Sequence, residues 1–296
     1  MKHLFVVMGI MGVLVVHTTE AKNLWFQEQA KLLKERFSVE EGDRFEVDLS
    51  HGDIALTPIE GRYLYVTVER DTDGVSAEEE RELFERHDVA IRQDGRAVLV
   101  RARADRGSSW LGWQAFKMDV TLEAQVPRGM VVVFRTGAGN VEMEDLANDV
   151  EGRTGAGTVR VSDLEGHLIL STGAGNVEVA YVRGDAEISS GAGNVVAENI
   201  TGRIRMRSGA GNVIYRSETL PTEGITLESG AGNVSLTLPE SASIDVDAST
   251  SMGRASSDFA LRREEGMLSQ RFYGSVNGGE VSIRLRSGVG NVTLRN

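Results

Sequence analysis

The sequence predicts an all-β fold: a single-stranded parallel β-solenoid (a β-helix) with coils of ~18 residues, wound right-handed, and a short N-terminal capping helix. Three observations predict it. The pattern Gly-x-Gly-[Asn/Thr]-Val begins at Gly137, Gly155, Gly173, Gly191, Gly209, Gly230 and Gly288, and its first four intervals are all eighteen residues. Apolar residues recur at fixed places in each unit, as Val177, Val179, Val182, Ala186 and Ile188 do in one and Val195, Ala197, Ile200, Ile204 and Met206 in the next. The chain also lacks cysteine, so burial and hydrogen bonding alone must hold the fold.

The period of two within each unit is that of strands with one buried face. Gly166, Gly184 and Gly202 mark a second turn, so each unit reads strand, turn, strand, tight glycine turn. One unit cannot bury its own apolar face. Stacked on equivalent neighbours at about 4.8 Å, it can. Val141, Val159, Val177, Val195, Val213 and Val234 then form one interior column. Asn140, Asn176, Asn194, Asn212 and Asn233 form an amide ladder, interrupted at Thr158 and extended by Asn291 in the last coil. Thr136, Thr154, Thr172, Ser190, Ser208 and Ser229 make a hydroxyl column before the glycine. The glycines supply positive φ and close approach, while Ala174 and its equivalents are expected to fill a narrow corner. A phosphate loop would use its glycines once, before a helix, and no helical period follows any of these turns.

Taken in order, residues 1–21 have the form of a signal peptide: Lys2, thirteen mostly apolar residues over 4–16, then small residues before the cut. The apolar run is shorter than the roughly 20 residues a spanning helix needs, and an uncleaved anchor is the alternative. Residues 22–43 are expected to be the N-terminal helical cap, from the spacing of Leu24, Trp25, Leu32, Leu33 and Phe37 over 23–39. A membrane-gripping amphipathic helix is the competing reading, but the segment has no basic face. The solenoid domain is expected over 44–296, with irregular coils at 44–134, regular coils at 135–238 and irregular C-terminal coils at 239–296. "SMGRAS" around Gly253 looks like a degraded copy of the turn. Alternation in "DRFEVDL", "GDIAL", "RYLYVTV", "RAVLVRA" and "KMDVTLEAQV" predicts strands, and "SAEEERELFERH" an inserted acidic helix or loop.

With 32 basic and 44 acidic residues the chain has a net charge of −12, which argues against a nucleic-acid partner. Asparagine in place of aspartate after the glycine turns leaves too little charge for a calcium roll. His51, His87 and His167 lie far apart in sequence, so no metal or cofactor site is expected. The outward charges Glu142, Glu144, Asp163, Glu178, Glu198, Arg160 and Arg216 are scattered and name no acid–base pair. "GSSWLGWQAF" concentrates Trp110 and Trp113. If exposed they are a platform for a glycan or protein partner, and if buried they pack over the solenoid edge.

The early "HGDIAL", the transition "AQVPRGMVVVFRTGAGNVEM", the repeated turns and the closing "SIDVDASTSMGRASSDF" and "SGVGNVTLRN" resemble the bacterial putative-adhesin family. The resemblance implies an exported or envelope-associated parallel β-solenoid and supplies no catalytic residues. The expected function is an exported cell-envelope scaffold or interaction protein, in the periplasm or at the cell surface. It would bind an envelope protein or glycan through a rigid repetitive surface, without catalysis and without stable membrane insertion after signal cleavage. The alternative is a polysaccharide-active parallel β-helix, whose mark would be an outer groove where carboxylates of adjacent coils converge with a basic residue.

Overall fold

A computed structural model describes residues 31–72, 74–104 and 118–296. The signal-like segment, residues 22–30 of the expected cap, and Trp110 and Trp113 lie outside the described residues.

Alternating sequences place every second side chain inward, and the repeat stacks those side chains in register. Val159 pairs with Val177, Val177 with Val195 and Val195 with Val213, all between parallel strands. One sheet of 12 strands carries, side by side, Val141–Leu146, Val159–Glu165, Val177–Arg183, Val195–Ile200, Val213–Arg216, Val234–Thr237 and Val292–Arg295. A second sheet of 13 strands carries Val131–Thr136, Val150–Ala156, Leu168–Ala174, Ala186–Ala192, Ile204–Ala210, Ile225–Ala231 and Val281–Val289. The chain alternates between the sheets, and their inward columns meet in one core. Val141, Val159, Val177, Val195, Val213, Val234 and Val292 are each at most 2% exposed.

The glycine corners work by close approach. A Cβ on Gly191 would sit 2.5 Å from the carbonyl oxygen of Gly173, and one on Gly193, where φ is +149°, 2.1 Å from that of Gly175. The alanine between them does not fill the corner: Ala174, Ala192 and Ala210 are exposed. The buried group is the hydroxyl one residue before the first glycine. Ser190, Ser208, Ser229 and Ser287 donate to the carbonyls of Gly175, Gly193, Gly211 and Gly232 at 3.0, 2.8, 2.8 and 2.8 Å. A polar side chain faces inward here because the corner itself supplies its acceptor.

The asparagines lie one above another on the outside. The backbone N–H groups of Asn194, Asn212, Asn233 and Asn291 donate to the side-chain Oδ1 of Asn176, Asn194, Asn212 and Asn233, each at 2.9 Å. The same bond runs from Thr158 to Asn140 at 3.1 Å and from Asn140 to Asp53 at 2.7 Å. Aspartate of the "HGDIAL" segment therefore stands at one end of the ladder, and the other end is Arg254, whose N–H reaches Asn291 at 3.0 Å.

Both ends depart from simple winding. The strands Val281–Val289 and Val292–Arg295 slot inside Ile244–Met252 and Ala255–Ser257, so the degraded turn at Gly253 is the outermost coil and Asn291 rests directly on Asn233. At the other end Ala97–Ala104 and Met118–Pro127 lie outside Arg44–Leu49 and Asp53–Ile59. Antiparallel strands then close the sheets: Tyr63–Thr72 and Leu32–Ser38 on one, His87–Asp94 on the other. Within the expected helical cap over 22–43, the described residues Leu32–Ser38 form a strand instead, with Leu33 and Phe37 packed on the core. Their spacing of four satisfies a period of two as well as one of 3.6. Among the described residues this half carries the helix Ala77–Arg86, which bridges from Thr72 of one sheet to His87 of the other. Ser76 and Glu79 close its N-terminus as a reciprocal capping box.

Candidate functional site

Outward residues are as strictly aligned as inward ones. On the 12-stranded sheet, Glu142, Arg160, Glu178, Val196 and Ile214 make one outer column, and Glu144, Ser162, Ala180, Glu198 and Arg216 the next. Ser162 and Ala180 are small, whereas Glu144 and Glu198 at either side of them are long. The result is a hollow of about 450 Å³ lined by Glu142, Glu144, Arg160, Ser162, Glu178, Ala180, Val196 and Glu198.

Charges of opposite sign in one column reach each other across a strand spacing. Arg160 Nε lies 3.0 Å from Glu178 Oε2, and Arg216 meets Glu198 at 3.1 Å. Both pairs are about half exposed, so each holds the surface only weakly and yields readily to a competing ligand. Glu142 and Glu144 have no ion-pair partner among the described residues. Four carboxylates against the two guanidinium groups of Arg160 and Arg216 leave the hollow a negative field over a partly apolar floor.

A bulge runs along one side. Asp145, Asp163, Tyr181 and Asn199 have φ of 52°, 53°, 57° and 51°, and the strand register skips Asp163 and Tyr181. Aspartate and asparagine adopt this backbone at little cost, but a bulky aromatic does so rarely. Tyr181 follows Ala180 directly and is 56% exposed.

The sequence names Glu142, Glu144, Arg160, Glu178 and Glu198 as scattered outward charges, and the fold gathers them in one place. Asp163 stands on the bulge instead. Ser162, Ala180 and Tyr181 escape sequence reasoning, although two small outward residues eighteen positions apart are the signal for a hollow. His51 and His87, far apart in sequence, come within 5.6 Å, ring to ring, away from this site, while His167 is exposed. Among the described residues no three His, Asp or Glu side chains are grouped to hold a metal ion. No helix there is long and apolar enough to cross a membrane.

The family model described as Toastrack DUF4097 matches residues 65–295. The chain belongs to this family. The Toastrack match includes every residue of the hollow. Similar solved structures include a protein called a putative adhesin from Bacteroides fragilis, 13% identical over 89% of this chain and 97% of that one, with a TM-score of 0.44. Another, called a putative lipid binding protein, comes from Parabacteroides distasonis: 8% identity, 90% and 97% coverage, TM-score 0.42. A third, called a putative cell adhesion protein, comes from Clostridium sporogenes: 12% identity, 90% and 99% coverage, TM-score 0.30. None of the curated proteins matches the sequence.

Proposed function

We propose that this Toastrack protein is an exported, adhesin-like scaffold of the cell envelope that binds a partner through the rigid outer surface of its sheets and performs no chemical step. The proposal includes coils of eighteen residues wound right-handed, the signal over 1–21, and residence in the periplasm or at the cell surface. The supporting observation is the hollow, whose floor and walls come from four strands locked in register. Such a site is preorganised, so little ordering cost opposes binding. Its chemistry suits a hydroxyl-rich or cationic partner: a glycan chain, or the lysine-bearing face of an envelope protein. Trp110 and Trp113 are proposed as a further contact for the same partner.

The test is binding of the purified chain to a glycan panel and to envelope fractions, compared with the double variant Glu144→Ala/Glu198→Ala. Loss of capture at an unchanged melting midpoint supports the site. Equal capture by the variant overturns it. One observation favours a second reading, that of a polysaccharide-active β-helix: carboxylates of adjacent strands do converge here with Arg160. Release of reducing ends from any glycan in that panel, lost in the same variant, would decide for it.

A further inference from the structure

His87 is 2% exposed, and neither of its ring nitrogens has a hydrogen-bond partner among the described residues. It follows the last turn of the helix Ala77–Arg86, at the end of the stack where Leu32–Ser38 and His87–Asp94 are the edge strands. The helix is tied down at that turn by Arg70, itself only 6% exposed. Arg70 Nη1 donates to the carbonyls of Phe84 at 3.4 Å and His87 at 3.0 Å, and its guanidinium lies 4.6 Å from the centroid of the Phe84 ring. At the helix's other end Thr72 Oγ1 donates to Glu80 at 3.0 Å. No helix residue is buried, so these few contacts and Phe84 hold it.

We propose that the helix Ala77–Arg86 is an acid-released cap on this end of the stack, with His87 as its trigger. The groups facing His87 among the described residues are His51, 5.6 Å away between ring centroids, and Arg70. A proton on His87 puts a second cation beside Arg70 in a place closed to water, where no carboxylate among the described residues compensates it. Moving the helix outward hydrates both cations and relieves the conflict. Burial, then His51, then Arg70 push the imidazole down to about 4 from its ordinary value near 6.5. The docked state therefore binds fewer protons than the released one between those values. Docking is complete above about pH 6.5 and weakens progressively as pH falls toward 4.

Hydrogen–deuterium exchange of the whole chain, corrected for intrinsic rates, reads the helix directly. Between pH 7 and pH 4.5 the amides of residues 77–86 should lose at least about tenfold protection, while those of 195–200 keep theirs. In His87→Leu, which cannot be protonated, the helix should stay protected at pH 4.5. Unchanged protection in the native chain, or loss at the same pH in His87→Leu, overturns the proposal. If His87→Leu does not fold, the His87 ring resonances of the native chain decide. Titration near 4–5 in step with helix signals supports the trigger, and titration near 6.5 without them refutes it.

Discussion

Tyr215 lies wholly inside the stack, in a column that includes Met143, Val161, Val179, Ala197, Leu236 and Leu294. Its hydroxyl donates to the Ile200 carbonyl at 3.1 Å and accepts from the Ile200 N–H at 3.0 Å. The reason is a missing ladder partner. Strand Val195–Ile200 pairs with its neighbour Val213–Arg216 only as far as Glu198, because that neighbour stops at Arg216. Burial pushes the Tyr215 phenol up, so it stays protonated and able to serve both groups. Tyr215→Phe keeps the packing but orphans two buried backbone groups, and should cost about 1–3 kcal/mol in urea unfolding. Tyr273→Phe, whose hydroxyl meets Glu264 at the surface, should change little. Equal losses in the two variants would contradict this account. Gly193 carries a second residue-scale prediction. With φ at +149° and the Gly175 carbonyl 2.1 Å from a would-be Cβ, Gly193→Val should lower stability by several kcal/mol. By contrast Glu178→Ala, which gives up one half-exposed ion pair, should stay within about 0.5 kcal/mol. Comparable melting curves for the two would contradict the inside–outside assignment.

A strand's inward side chains are fitted to those of the strands beside it, and the column through Gly152 is the sharpest case. Gly152 is inward and buried, paired with Phe134 on one side and Leu170 on the other. A Cβ there would lie 2.0 Å from Cζ of Phe134, so the phenyl ring occupies the space that glycine leaves. Gly152→Ala should overpack the core by about 1–3 kcal/mol, and adding Phe134→Leu should recover much of that loss in the same denaturation experiment. Additive losses would rule out the coupling. Such fits are also where sequence reasoning thins out. The period of two in Val177–Arg183 or Ile204–Ala210 is plain, because one face is wholly apolar and turns bound each run. Leu32–Ser38 is ambiguous, since only Leu33 and Phe37 point inward and their spacing fits helix and strand alike. The alanine of the glycine turn misleads for another reason. Residue type suggests inside, but the corner's own carbonyls make the neighbouring hydroxyl the better buried group. The hollow was legible only in its charges. Its shape depends on Ser162 and Ala180 being aligned, which takes the strand register as well as their eighteen-residue spacing to see.

At the scale of the molecule, translation by one repeat is close to a symmetry. Between the regular coils the columns through Val159, Val177 and Val195 and through Gly155, Gly173 and Gly191 are indifferent to which copy stands above which, since these residues present the same contacts. Removing one whole repeat should therefore be tolerated. Deleting residues 174–191 joins Gly173 to Ala192 and preserves the turn; Val159 then stacks on Val195 and Leu168 on Ile204. Deleting only 174–182 removes most of one strand from the 12-stranded sheet but only Ala174 from the 13-stranded sheet, so the two layers no longer match. The first variant should keep a strand-type circular dichroism spectrum and a single urea transition at a lowered midpoint, as nearest-neighbour stacking requires. The second should fail to give a cooperative transition at all. The longer deletion also takes away Glu178 and Ala180, so it should fold yet lose the binding proposed for the hollow. That combination separates the two levels of organisation. The repeat supplies a stack that any set of matching coils can build, and the outward residues of four particular strands shape the hollow on which the proposed binding rests.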